Sequence, residues 1–350
     1  MPRVLQDESL ARRHTHDKTR DSMSTEVAQV SDLRESSALA AIEVAQRIIA
    51  NVGRVLEGKR EVVELAVSAL LARGHLLIED VPGVGKTTLA RAMAASVGVE
   101  FRRLQFTSDL MPADVLGGSV YSQQTGEFSF RKGPIFTQVL LADEINRTTP
   151  KTQSALLEAM DERRVSLDGH THQLDEPFFV LATQNPEEFF GTYPLPESQL
   201  DRFLMRVRIG YPPAEVERQV IARRRKLDPV GDLTAVVDRR DLLAAQAAVD
   251  RIRVSDEVVD YLHSLILATR ATPLLSIGAS TRGALALERA VRAFALTSGR
   301  HYATPDDVKS VAVSVLAHRV RPTGSRDGGG AHMDGERVIR DLLTSMPVPV

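Results

Sequence analysis

The stretch Leu76–Met93, LLIEDVPGVGKTTLARAM, decides how the rest of the chain is read. It opens on LLIE, an apolar run short enough to be one buried strand, and closes on KTTLARAM, apolar at helical spacing. Between them, Gly83, Gly85, Lys86 and Thr87 stand as a phosphate-binding loop requires, after a strand and at the start of a helix. Glycines let backbone N–H groups approach phosphate oxygens, and the helix N-terminus adds partial positive charge. Lys86 is expected to reach the β- and γ-phosphates and Thr87 to offer its hydroxyl to Mg2+. Asp80, Val81, Pro82, Val84 and Thr88 make up the rest of the expected cradle. One position departs from the pattern: Asp80 stands where its first glycine belongs. Asp80 ends the strand, ahead of the cradle proper. Aspartate tolerates the backbone of a turn and Pro82 stiffens the approach, so the departure reads as a variation of the motif.

Outward from this loop, apolar runs alternate with helical patterns. EFRRLQF, VLLADE, FFVLATQN and MRVRIGY read as strands. ALAAIEVAQRIIANV, REVVELAVSALLARG and KTQSALLEAMDERR read as helices. Strands alternating with helices predict an α/β fold, a parallel sheet covered by helices on both faces. Two stretches break the rhythm. SVYSQQTGEFSFRKG carries Thr125-Gly126, and RVSLDGHTHQL carries Asp168-Gly169 between alternating flanks; both are hairpin signals. Residues 1–36 lack periodicity and read as a disordered arm, and Met23 is an alternative start. The α/β core is placed at 37–228, with a hairpin insert near 164–174. Residues 233–320 are helical in pattern and predict a small all-α lid domain. There Thr304 is the N-cap of a helix whose first residue is Pro305. Residues 321–350 read as a flexible linker and a short C-terminal helix.

Composition sets outer limits. Lys and Arg (44) nearly balance Asp and Glu (46), so nothing points to nucleic acid. The chain has no cysteine, which excludes disulfides, thiol catalysis and thiolate metal sites. No apolar run is long enough for a membrane span and the N-terminus has no secretory pattern, so a cytoplasmic location is expected.

A phosphate loop that works on a triphosphate needs a carboxylate at a neighbouring strand end to hold Mg2+. VLLADEINR supplies Asp143 for that role, and Glu144 beside it could polarise the attacking water. FFVLATQNP ends on Asn185, placed to orient water near the γ-phosphate. His170 and His172 share one face of a hairpin strand but read as solvated side chains, as do His14 and His16. RRRK, Arg223 to Lys226, suits a helix C-terminus.

These motifs in this order resemble AAA+ ATPases. The wording EDVPGVGKT, ADEINR, ATQNP, YPLPESQLDRFLMR and GASTRG resembles the MoxR family within them, from about Ala38 to the C-terminus. That family's first phosphate-loop position tolerates Asp. The resemblance also implies a hairpin inserted in the helix after the DE strand, the mark of the helix-2-insert clade. It implies Glu144 as catalytic base, Asn185 as sensor 1, and Arg202 of LDRF as an arginine finger. Arg282 of STRG would be sensor 2, closing the lid on the γ-phosphate. Arg147 and Arg206 compete with Arg202 for the contact with a neighbouring subunit. Adenine would lie against NVGRVLEG, with Val52 and Gly53 nearest. A finger supplied by a neighbour implies a homo-oligomeric ring, a hexamer. The activity implied is ATP plus water to ADP and phosphate, driving a chaperone that remodels or matures a protein client, with metal-cofactor insertion as one setting. A von Willebrand factor A domain partner goes with it. Two other readings stand beside this one: a nucleotide-gated scaffold with little turnover, and a DNA-dependent motor of the same clade.

Overall fold

The structure, a computed structural model, describes residues 36–124, 126–185, 191–222, 229–324 and 330–347. Most of the expected arm, Thr125, Pro186 and the RRRK run lie outside these residues. A helix over 36–53 (α1) and Arg60–Leu71 (α2) precede β1, Leu76–Glu79. Then come α3 (Lys86–Val97), β2 (Phe101–Gln105), α4 (Pro112–Leu116), β3 (Gly117–Tyr121), β4 (Phe128–Lys132) and β5 (Val139–Asp143). A 3-10 turn over Ile145–Arg147 leads to α5 (Pro150–Glu162), β6 (Arg164–Leu167), β7 (His170–Gln173), β8 (Phe179–Gln184), α6 (Glu197–Leu200), β9 (Met205–Val207) and α7 (Ala214–Ala222). The remainder is α8 (Arg239–Val249), α9 (Asp256–Ala271), β10 (Leu275–Ile277), α10 (Thr281–Thr297), α11 (Pro305–Leu316), β11 (Arg321–Pro322) and α12 (Gly330–Ser345).

The main sheet is parallel, in the order β2-β5-β8-β1-β9. Its central strands are buried on both faces, which is why they read as unbroken apolar runs. Alternate side chains still go to separate cores. Leu76, Ile78, Leu141 and Leu181 enter one cluster; Leu77, Leu140, Val180 and Ala182 enter the other. The first cluster continues through α2 and α3 into the lid helices, so lid and sheet share one apolar core. Polar contacts stitch the same seam: Gln246 donates to the Leu70 carbonyl at 2.7 Å, and the hydroxyls of Ser68 and Thr297 meet at 2.9 Å.

Three expectations need correction. The hairpin β6–β7 does not interrupt a helix. α5 runs unbroken to Glu162 and the hairpin starts at Arg164, because Arg163 ends the helix in a left-handed conformation with φ 55°. The hairpin follows that helix in the crossover from β5 to β8, as β3–β4 follows α4 in the crossover from β2 to β5. The lid is not purely helical either: Leu275–Ile277 pairs antiparallel with Arg321–Pro322, a ladder too short to leave a periodic trace. Arg321 and Pro322 therefore belong to that ladder and not to a flexible linker. Further on, α12 buries Val338 and Ile339.

Candidate functional site

Parallel strands bring their C-terminal ends to one edge of the sheet, and ligands of open α/β sheets bind there. Register sets the level of each group. Thr183 of β8 lies opposite Ile78, Gln184 opposite Glu79, and Ala142 opposite Ala182. Asp80, Asp143 and Asn185 therefore leave the sheet side by side.

The loop between β1 and α3 turns on two glycines. Gly83 has φ 87° and Gly85 has φ 101°, in the left-handed region that a side chain strains. Gly85 caps α3, whose first turn has no acidic residue, so no carboxylate of that turn offsets the partial positive charge of the helix start. The Lys86 ammonium donates to the Asp80 carbonyl and closes over its own loop. Thr87 and Thr88 follow in the first turn of α3, with Val81 and Pro82 on the approach and Val84 buried between the glycines. Asp80 acts as a brace. One carboxylate oxygen accepts from the N–H groups of Ile209 and Gly210 at 2.7 and 2.6 Å, and the other accepts from the Val81 N–H at 2.8 Å. It ties the start of the cradle to the end of β9. Val52 is fully buried, and a side chain added at Gly53 would meet open space. Leu56, next along that segment, packs on Gly85.

Next to the cradle, the Asp143 carboxylate accepts from the Thr183 hydroxyl at 2.6 Å and from the Arg103 guanidinium at 2.6 and 3.0 Å. Glu144 is held with φ 58°. Its N–H donates to Thr183, and its carboxylate accepts from Gln105 at 2.7 Å and pairs with Arg147 at 3.0 Å. Asn185 is buried at the tip of β8. Arg103, Gln105 and Thr183 were missed in the sequence. Their trace is there in FRRLQ, where Arg103 and Gln105 alternate onto one face of β2, and in the polar end of FVLATQ. Thr87 and Asp143 offer hydroxyl and carboxylate oxygens only, a donor set that fits Mg2+, which keeps several of its own waters.

The arginines divide. Arg206 is buried with 3% of its side chain exposed, pairing at 2.8 Å with both Glu79 and Glu336. A guanidinium locked this way is a structural counter-ion, which removes Arg206 as a contact for a neighbouring subunit. Arg147 sits beside its own Glu144. Arg202 and Arg282 are at the other edge of the sheet. Arg202 precedes β9, whose Met205 lies opposite Leu76, the first residue of β1. Both pair with Asp161, near the C-terminal end of α5, at 3.3 Å, and Arg282 pairs with Asp201 at 3.2 Å. Arg282 is set here because α10 packs on α2, which puts its first turn at the N-terminal edge of the sheet, away from the cradle of its own chain. Arg319, 3% exposed, fastens this arrangement by pairing with Asp201 at 2.7 Å; burial lowers its pKa, and Asp201 opposes that. A cavity of about 550 Å³ opens here, lined by Arg202, Arg282, Arg289, His75 and their neighbours. Away from both edges, His172 stacks on Phe130 at 3.9 Å and docks one hairpin on the other; among the described residues no group of three His, Asp or Glu could hold a metal.

Comparison with known proteins agrees with this geometry. The profile of the ATPase family associated with various cellular activities (AAA) matches residues 75–205, and that of an AAA lid domain matches 267–342. The chain is 46% identical to the uncharacterized protein YeaC of Bacillus subtilis, over 87% of this chain and 94% of that one. It is 40% identical to chaperone MoxR1 of Mycobacterium tuberculosis, over 89% and 84%. The crystal structure of a candidate ATPase from Cytophaga hutchinsonii superposes with a TM-score of 0.81 at 34% identity, covering 92% of this chain and 99% of that one. A phosphate cradle, a carboxylate pair and a helical lid on this strand order, with relatives this similar over most of their length, make the chain a member of the MoxR family of AAA+ ATPases.

Proposed function

We propose that this chain hydrolyses ATP to ADP and phosphate at seams between copies of itself, arranged as a hexameric ring, and uses the cycle to remodel or mature protein complexes. One observation carries the reading: the cradle with its carboxylates lies at one edge of the sheet, and Arg202 and Arg282 at the opposite edge. A single copy cannot bring both to one triphosphate, whereas the facing edge of a second copy can.

Within the seam, the α3 N-terminus and Lys86 hold the phosphates and draw off negative charge. Thr87 and Asp143 would hold Mg2+, which would supply charge neutralisation at the phosphates. Glu144, fixed by Gln105 and Arg147, polarises a water, and Asn185 orients it. Arg202 and Arg282 from the neighbour meet charge developing on the γ-phosphate; their planar donor forks match its oxygens. Val52 and Gly53 border the nucleoside side of the cradle. The chaperone name of the Mycobacterium relative supports a protein client. The family resemblance adds a von Willebrand factor A domain partner, metal-cofactor insertion as one form of the work, and a cytoplasmic setting. No helix among the described residues is long and apolar enough to cross a membrane.

Steady-state phosphate release by the unaltered chain and by Glu144→Gln tests this. Turnover that falls about 10²–10⁴-fold in the variant, with nucleotide still bound, supports a base at Glu144. Equal, negligible release by both makes the protein a nucleotide-gated scaffold.

A further inference from the structure

The cavity at the N-terminal edge of the sheet holds a cation that its ion pairs leave over. Arg202 and Arg282 share Asp161, Arg73 pairs with Asp250 at 3.5 Å, and Arg292 pairs with Glu288. Arg289 lines the same cavity, yet among the described residues it takes no hydrogen bond and no ion pair. It stands seven residues after Arg282, so the two share one face of α10. Its surroundings are adverse to a positive charge. Burial lowers its pKa most and Arg163 next, with Arg282 and Arg73 adding to the effect; Asp250 opposes them. Arginine keeps its proton regardless. A guanidinium crowded by like charges and exposed to a cavity is stabilised by an anion with several oxygens to accept its donors.

We infer that Arg289 is a third arginine offered, with Arg202 and Arg282, to the phosphate oxygens of a nucleotide bound by a neighbouring copy. This rests on the seam reading above. The ligand chemistry is a phosphate oxyanion, and its two sources are the neighbour's ATP and free phosphate.

Subunit mixing separates them. Lys86→Ala lacks a working cradle but keeps its arginines; Arg289→Ala keeps the cradle. Arg289→Ala alone is expected to hydrolyse ATP about 10–100-fold more slowly, the loss of one charge-assisted contact. Mixed with Lys86→Ala, it recovers several-fold, because the cradle-dead copy lends its Arg289 across the seam. An unreduced rate in Arg289→Ala overturns the inference. Arg202→Ala mixed with Lys86→Ala is the reference: recovery there but not with Arg289→Ala overturns Arg289 alone, and recovery in neither overturns the seam. Arg289→Lys, which keeps charge and most packing, is expected to hold part of the rate, and loss equal to that of Arg289→Ala with an unfolded far-ultraviolet spectrum would place Arg289 in folding instead. A nucleotide-free arm uses inorganic phosphate. Phosphate is expected to raise the Tm of Lys86→Ala and to do so less when Arg289→Ala is added. An equal rise in both overturns the site, and a rise lost without subunit rescue makes the ligand free phosphate and overturns the neighbour as its source.

Discussion

At its C-terminal end β1 runs through Glu79 and Asp80 into the glycine cradle; at its other end it starts from His75, close to Arg202, Arg282 and Arg289. The first region is built from backbone: left-handed glycines, a helix start without an acidic residue, and carboxylates held by Thr183, Arg103 and Gln105. The second is built from long cationic side chains held by aspartates. One edge gathers backbone N–H groups, a lysine and carboxylates; the other gathers arginines, two of which share Asp161. On the proposed reading each is half of a hydrolytic site, and the sheet holds them apart. On that reading, complementary halves on opposite edges make the chemistry depend on assembly.

The strongest way to break that division is Arg202→Ala. If the finger comes from the facing copy, hydrolysis is expected to fall about 10³–10⁵-fold, or about 4–7 kcal/mol of transition-state stabilisation. Nucleotide affinity and oligomeric state should stay close to those of the unaltered chain. Phosphate release beside size-exclusion profiles reads both. An oligomer of Arg202→Ala that hydrolyses at the unaltered rate would mean that the N-terminal edge takes no part.

The two halves were not equally legible. A cradle depends on glycines, a lysine and a hydroxyl at fixed offsets, so Gly83, Gly85, Lys86 and Thr87 stand out in a single line of sequence. Asp143 and Glu144 stand out because carboxylates end an apolar strand. The arginine edge is assembled from α5, the α6–β9 turn, α10 and α11, and no spacing in the chain reports that Asp161 and Arg282 meet. Sequence order therefore says nothing of which edge Arg282 occupies, and only the packing of α10 on α2 sets it at the far one. The same is true of Arg206. An arginine in a strand offers no sign of whether it faces solvent or, as here, a buried glutamate from β1 and a half-buried one from α12.

A smaller test sharpens the arginine edge through its buried histidine. His75 accepts from the Val180 N–H on Nδ1 at 3.1 Å and meets the Met160 carbonyl through Nε2 at 3.2 Å, a neutral tautomer with both nitrogens used. Burial pushes its pKa down to about 4 from 6.5, the Met160 carbonyl works the other way, and Arg163 and Arg289 add to the lowering. Between those values the unfolded chain binds the proton and the folded chain does not. Stability is therefore full above about pH 6.5 and is lost as pH falls toward 4, by roughly 3 kcal/mol over the window. Urea unfolding from pH 7 to pH 4 should show this decline on top of that of the carboxylates. His75→Asn is expected to be less stable at pH 7 and to decline less. An identical slope in both proteins would mean that His75 is not the buried neutral base that supports this edge.

The smallest expected effect tests the cradle side, at the residue that departs from the phosphate-loop pattern. If Asp80 braces the loop against β9, Asp80→Asn turns one acceptor into a donor facing the N–H groups of Ile209 and Gly210. Leaving such buried donors without an acceptor costs about 1–3 kcal/mol, so the urea midpoint should fall by a corresponding amount. Nucleotide affinity should weaken only several-fold, because the phosphate contacts come from the α3 start and Lys86 and not from this carboxylate. Asp80→Gly, which restores the usual motif residue, should lose the same stability with no gain in affinity: the glycine brings conformational freedom that this loop already takes from Gly83 and Gly85. A variant at position 80 that loses nucleotide entirely while keeping its unfolding midpoint would turn Asp80 from a brace into a ligand, and the division between a backbone-built edge and a side-chain-built edge would no longer hold.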